Sequence, residues 1–174
     1  NTIEDFRNFF KSDQEISEVF IHDIMETSLD LFGIKYVSNT IELVKDIDNI
    51  NINTYENELI QVIINLLNNA KDALINAKDK KYIFISAKKD NNRLLITIYD
   101  SAGGIKEEII PKIFDPYFTT KKDNKGTGIG LHMCKEIIHN HLKGTLTVEN
   151  ITYDYLDNQY TGAQFLIKVS KKMV

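Results

Sequence analysis

Cysteine is almost missing from this chain, and arginine is nearly so. The single Cys134 excludes an internal disulfide and fits a reducing compartment. Of 21 basic residues only Arg7 and Arg93 are arginines, so the planar bidentate grip used in base and phosphate readout is scarce and Lys point charges must do any phosphate work. A positive surplus is missing too: the net charge of −4 and pI near 5.6 argue against a nucleic-acid surface, which needs clustered positive charge. No apolar run is long enough for a membrane span, and the chain starts at Asn1 without a basic, then apolar, leader. Asn1 is read as a boundary within a longer pattern. The Asn150-Ile151-Thr152 sequon is read as chance in a cytosolic chain.

What is present is an ordinary globular composition, 43% apolar, enough for one buried core. Ile3, Phe6, Phe9 and Phe10 recur at helical spacing over residues 2–11, a strip with no partner in its own segment. Val19 to Leu31 reads as a second helix ended by Gly33, and Ile41 to Asp46 as a strand. The strongest periodicity runs over residues 55–77, where Leu59, Val62, Ile63, Leu66, Leu67, Ala70, Ala73, Leu74 and Ala77 define a long, deeply packed helix. Strands at Tyr82 to Lys88 and Arg93 to Asp100 follow, then a short helix at Glu107 to Phe114. A loop read as mobile, Asp115 to Gly130, holds Pro116, one of only two prolines. A helix from Ile129 to His141 and strands at Gly144 to Glu149 and Gln164 to Ser170 complete the inventory.

Three polar islands stand out in order. On the long helix, Glu58, Gln61, Asn65, Asn69, Asp72 and Asn76 fall within roughly an 80° sector opposite the apolar stripe. The seam contains amides and acids but no lysine, unlike the Lys/Glu pairs of a solvated helix face. An amide oxygen such as that of Asn69 is a hard, neutral ligand able to complete a Mg²⁺ shell of waters and phosphate oxygens. Asp100 ends an alternating strand and runs into Ser101-Ala102-Gly103-Gly104-Ile105. Such strand-end acids are often turn caps; this one could instead accept a hydrogen bond from an exocyclic amine such as adenine's, in a pocket lined by Ile98, Ile105 and Ile129. Gly126-Thr127-Gly128-Ile129-Gly130-Leu131 lacks the ending of a P-loop and the spacing of a dinucleotide loop, but it opens a helix. Its bare backbone N–H groups can approach an anion, where a plain linker would offer flexibility alone.

In order and spacing these islands resemble the N, G1 and G2 boxes of bacterial sensor histidine kinases, within the Bergerat-fold ATPases that also include DNA gyrase, heat-shock chaperones and mismatch-repair ATPases. Ile113-Phe-Asp-Pro-Tyr-Phe-Thr-Thr-Lys121 is similar to their F box, and Gly162-Ala163-Gln164-Phe165 to their final glycine motif. The resemblance implies an α/β two-layer sandwich, a mixed sheet of about five strands on three main helices. It implies that Asn69 coordinates Mg²⁺, Asp100 binds the adenine amine, and Gly104 and Ile105 shape the base pocket. Gly126, Thr127, Gly128, Gly130, Leu131 and His132 would wrap the phosphates, beneath a lid carrying Phe118 and Lys121. Asn65 falls where gyrase-like hydrolases carry a water-activating Glu, so an amide there implies ATP poised for transfer, with ADP as product. Two departures are Ala102 for the first Gly of the usual motif, tolerable at negative φ, and Ala163 for a frequent Thr. Asp72 replaces a common Lys, resembles the nitrogen-regulation branch, and is counted with the cofactor-binding residues.

The implied partners are an upstream dimerisation and phosphoacceptor hairpin, of which residues 1–18 would be the end, and a response regulator's receiver domain. Residues 19–174 would form the catalytic domain. The fragment is expected to be monomeric and the full-length protein homodimeric, cytoplasmic here and with or without an inner-membrane anchor. His22-Asp23 lacks the Arg and Pro of an acceptor box, and His139, His141 and Cys134 make a poor metal set. The rival readings are a partner-switching or degenerate binding module and a serine/threonine kinase of the same fold.

Overall fold

The computed structural model describes residues 15–33, 40–121 and 126–172. The helical strip at residues 2–11 lies outside them. Strands β1 (Ser17–Phe20) and β3 (Asn51–Thr54) form a small antiparallel ribbon beside the main body. The main sheet has the order β2-β4-β5-β7-β6, with β2 (Ile41–Ile47), β4 (Lys81–Asp90), β5 (Arg93–Asp100), β6 (Thr145–Tyr155) and β7 (Asn158–Ser170). Only β2 and β4 run parallel; the other neighbours are antiparallel. Three helices cover one face: α1 (Ile21–Phe32), α2 (Glu56–Leu74) and α3 (Gly130–Glu136), the last continued by a π-helical turn, Ile137–His141. The architecture is the α/β sandwich expected, and among the described residues no helix is long and apolar enough to cross a membrane.

The layers follow from the patterning. Along β5, Leu94, Ile96, Ile98 and Asp100 are buried while the residues between them are half-exposed, the alternation of a sheet packed on one side. Against it α2 sinks Leu59, Val62, Ile63, Leu66, Leu67, Ala70 and Leu74, and α1 adds Ile21, Ile24, Met25, Leu29 and Phe32, all in one core. Each fully buried aliphatic side chain contributes about 1.5–3 kcal/mol before chain entropy is set against it. Helix α1 stops at Gly33, whose φ of 76° lets its N–H return to the carbonyls of Leu29 and Asp30.

Several elements differ from the expectation. The segment read as the start of a helix at Val19 is strand up to Phe20, because β3 supplies it a partner that no local pattern reveals. Helix α2 ends at Leu74, three residues early, with Ile75 and Asn76 exposed. The predicted helix Glu107 to Phe114 is a set of turns around one 3₁₀ turn, Ile110–Lys112, since Pro111 fits only a first helical turn and has no N–H to extend it. Strands β6 and β7 are also longer than expected and join in a tight hairpin, with Leu156 and Asp157 both left-handed at φ 47° and 65°.

That hairpin outgrows the sheet. Its pairing with β5 stops at Tyr99↔Gln164, while β6 and β7 continue pairing from Asn150↔Ala163 to Tyr155↔Asn158. The extension carries aromatic rings onto the face opposite the helices. There Tyr155 meets Tyr82 and Phe84 edge-on at 5.1 and 5.0 Å, and Tyr153 meets Phe84 and Tyr99 at 5.2 and 4.9 Å. Tyr82 and Phe84 are thereby buried on what would otherwise be a solvent face.

Candidate nucleotide site

The amide seam survives as a half-buried strip on α2: Glu58, Gln61, Asn65, Asn69 and Asp72 are all intermediate in exposure, and only Asn76 falls beyond the helix. Half burial is what a groove wall requires, since a solvated face would be open and a core face closed. The Gly-rich segment and Lys121 ahead of it each come to this strip. A methyl group on Gly130 would sit 3.6 Å from the Asn65 side-chain oxygen, and the Lys121 ammonium forms an ion pair with the Asp72 carboxylate, one turn beyond Asn69. The Asn69 side chain makes no hydrogen bond to another described residue.

The stretch between is shaped by two left-handed residues placed back to back. Tyr117 has φ 64° and Gly128 φ 68°, and a side chain on Gly128 would run into the Tyr117 backbone. Gly126 is flanked by side chains instead, with the Thr119 hydroxyl oxygen 2.7 Å and Lys121 Cδ 2.8 Å from where its Cβ would be. At Gly128 glycine is required by close approach as well as by φ. The Ile129 N–H donates to Thr127 Oγ1 at 3.4 Å. His132 is bonded through Nδ1 to the Phe114 carbonyl at 3.1 Å, tying α3 to the segment before Pro116, and Lys135 lies 5.0 Å over the Phe114 ring. Ile105, Phe118 and Leu131 are partly buried against the common core, as is Ala102.

At the far end of the site Asp100 is 2% exposed. Burial pushes its carboxyl up from 3.8 to about 6, against a smaller downward pull from the N–H groups of Ala102 (2.9 Å) and Ala163 (3.4 Å), both donating to Oδ1. A buried acid held by backbone donors on one oxygen keeps acceptor capacity on the other. Ala102 stays at negative φ, so the loss of glycine there is tolerated, and the positive φ values fall on Gly103 (96°) and Gly104 (89°). Gly162 packs so tightly that a Cβ would overlap the Asp100 carbonyl oxygen.

Two residues absent from the sequence expectation stand beside this acid. Asn150 accepts the Ile105 N–H and donates to the Ile105 carbonyl, both at 2.7 Å, and a Cβ on Gly104 would lie 2.7 Å from its Oδ1. The Tyr153 hydroxyl donates to the Asp100 carbonyl at 2.8 Å. Neither had a local signal, because the pairing of the extended hairpin brings them there.

The remaining candidates disperse. Cys134 is buried, its thiol pushed up to about 12, and it is neither a nucleophile nor a ligand. His141 is engaged with Glu58 at 2.8 Å, and His22 is exposed beside Asp23 in the first turn of α1. Among the described residues no cluster of three or more His, Cys, Asp or Glu side chains could hold a metal.

Residues 54–172 match the family described as histidine kinase-, DNA gyrase B-, and HSP90-like ATPase. The chain is 33% identical to sporulation kinase A of Bacillus subtilis over 172 residues, 99% of this chain and 25% of that protein. It is 35% identical over 116 residues to the two-component sensor PprA of Pseudomonas aeruginosa, 64% of this chain and 12% of that protein. The chain thus spans a quarter or less of these curated relatives. Among solved structures, the catalytic domain of histidine kinase ThkA superposes with a TM-score of 0.73 at 28% identity, covering 91% of this chain and 99% of that one.

Proposed function

Since the chain belongs to the histidine kinase-, DNA gyrase B- and HSP90-like ATPases, with the nucleotide-binding fold of histidine kinase catalytic domains, we propose that it binds Mg-ATP between α2 and the Gly126–Gly130 segment. In this reading it passes the γ-phosphoryl group to a histidine on an upstream dimerising hairpin, whose end residues 1–18 would form, leaving ADP. A response regulator's aspartate would take the group next. Residues 19–174 are the catalytic domain of a protein that works as a homodimer. The observation that carries the proposal is the approach of two parts of the chain to the amide strip, Gly130 of the glycine segment against Asn65 and Lys121 on Asp72.

The residues fit the roles. Asp100 accepts the base amine on its free oxygen, with Gly104 and Ile105 flooring the pocket. The N–H groups around Gly126, Thr127, Gly128, Gly130, Leu131 and His132 line the phosphate channel, and Phe118 and Lys121 close over it. For magnesium, Asn69 offers a half-buried neutral oxygen with no competing bond among the described residues, the donor expected of a hard octahedral ion that keeps its waters. When bound, the ion neutralises phosphate charge and holds the transferred group in line. Asn65, an amide and not a carboxylate, orients but does not deprotonate water, so hydrolysis is disfavoured over transfer. Catalysis from this chain is positioning and charge placement.

The test mixes the chain with labelled Mg-ATP and a separately produced hairpin bearing the acceptor histidine. The expected product is acid-labile, base-stable phosphate on the hairpin. ATP binding without label would make the chain a nucleotide-gated binding module, and acid-stable label would make it a serine/threonine kinase.

A further inference from the structure

We infer that Tyr153 and Asn150, both on β6, are positioning residues for nucleobase selection, because the overgrown β6–β7 hairpin braces the Asp100–Ile105 segment at both ends. The inference rests on the reading of Asp100 as the acceptor of the base amine.

Past Tyr99 the β5–β7 ladder stops, so Asp100 to Ile105 leaves the sheet without its regular hydrogen bonds on that side. The hairpin replaces them individually. Tyr153 donates to the Asp100 carbonyl at 2.8 Å, the Thr161 carbonyl accepts the Gly103 N–H at 2.9 Å, and Asn150 clasps both backbone groups of Ile105 at 2.7 Å. These bonds reach the first, fourth and last residues of the segment. They therefore set the direction of the Asp100 carboxylate and the angle at which Gly103-Gly104 turns toward the lid. Hydrogen-bonded recognition of a base tolerates an error of only about 0.5 Å, and a six-residue loop with two left-handed glycines would not hold that without external support.

The brace is itself held firmly. Tyr153 packs edge-on against Phe84 and Tyr99, and neighbouring Tyr155 and Tyr160 close over Tyr82. Burial keeps the Tyr153 phenol well above its ordinary range, so it remains a proton donor throughout the working pH window. A hairpin that merely covered the outer sheet face would need the rings alone. The Tyr153 hydroxyl and the Asn150 amide point instead at main-chain atoms of the site.

The experiment compares Mg-ATP with Mg-ITP, which lacks the exocyclic amine, by calorimetric titration of the wild type, Tyr153→Phe, Asn150→Ala, Tyr155→Phe and Asp100→Asn. Tyr153→Phe, which removes one hydrogen bond, is expected to lower the ATP-over-ITP preference roughly three- to tenfold, and Asn150→Ala, which removes both bonds to Ile105, by at least as much. Tyr155→Phe, in the same aromatic cluster, is expected to keep it. A parallel loss of both affinities with the preference intact, or no change, would make the hairpin purely structural and overturn the inference, provided Asp100→Asn abolishes the preference. A preference surviving Asp100→Asn would overturn the base-amine reading and the inference with it. Should Tyr153→Phe not fold, Asn150→Ala decides alone.

Discussion

The two ends of the proposed site, one assigned to the base and one to the phosphates, are built by opposite means. At the base end, a 2% exposed carboxylate, its carbonyl and the turn after it are fixed by short bonds to β6 and β7. At the phosphate end, the ion pair between Lys121, ahead of the glycine segment, and Asp72 on α2 joins side chains still 38% and 32% exposed, which screening by solvent makes worth under about 1 kcal/mol. The difference matches what each end would recognise under the proposed function. A planar base offers few hydrogen bonds and is selected by prior arrangement, which costs stability before the ligand arrives. A chelated polyphosphate brings its own charge and can draw side chains into place.

The severest disturbance of this contrast is a side chain at Gly162. Its Cβ would overlap the Asp100 carbonyl oxygen, an overlap between backbones that no rotamer relieves. Gly162→Ala is expected to lose about 3 kcal/mol in urea unfolding and to lose ATP binding in whatever remains folded. Near-wild-type stability would show the base end to be less tightly built than argued.

Asp100 gives the second effect. Its carboxyl titrates near 6 when folded against 3.8 when unfolded, so the unfolded chain gives up the proton first. The stability it contributes is complete below about pH 4, falls as pH rises through 6, and is level above, a change on the order of 3 kcal/mol. ATP affinity should run the other way, climbing through pH 6 as the carboxylate becomes free to accept the amine. Asp100→Asn should flatten both curves over that window, measured by denaturation and by ATP titration at each pH. A stability curve rising between pH 4 and 6 in the wild type alone would contradict the assignment of burial as the dominant cause.

Third comes Asn69→Ala, expected to remove about two orders of magnitude of ATP affinity in the presence of Mg²⁺ and little in EDTA, with unfolding unchanged. Equal losses with and without the ion would take Asn69 out of the magnesium site.

How much of this is legible in the sequence follows the same divide. The helix α2 announces itself because Leu59, Val62, Ile63, Leu66 and Leu67 repeat at helical period, and the amide strip is simply its other side. Asp100 and the glycines stand out as motifs by their order, and the roles given them are those of the proposal. Tyr153 and Asn150 are not, because their partners lie 53 and 45 residues away and depend on where the β5–β7 pairing stops. Asn150 even belongs to a triplet that reads as chance. The ribbon of β1 and β3 is invisible for the same reason: four-residue strands carry too little alternation to outvote the helix beginning at Ile21. Local pattern reports which face is buried, and only pairing reports what a strand end touches.

The smallest effect separates the two ends most cleanly. Lys121→Met removes a half-exposed cation whose present partner is Asp72, so unfolding stability should move by less than about 0.5 kcal/mol. Its expected cost is in the ligand: about threefold weaker ATP binding and little change for ADP, because in the proposed reading the ammonium reaches the γ-phosphate, which ADP lacks. Base-end variants such as Tyr153→Phe act on the shared adenine and should weaken ATP and ADP alike. Asp72→Asn provides the counterpart, since releasing Lys121 from its carboxylate should hold or slightly raise ATP affinity, and the gain should vanish in the double variant with Lys121→Met. If Lys121→Met weakened ADP as much as ATP, the lysine would be steadying the fold of the segment instead of touching phosphate, and the phosphate end would have to be counted as prearranged too.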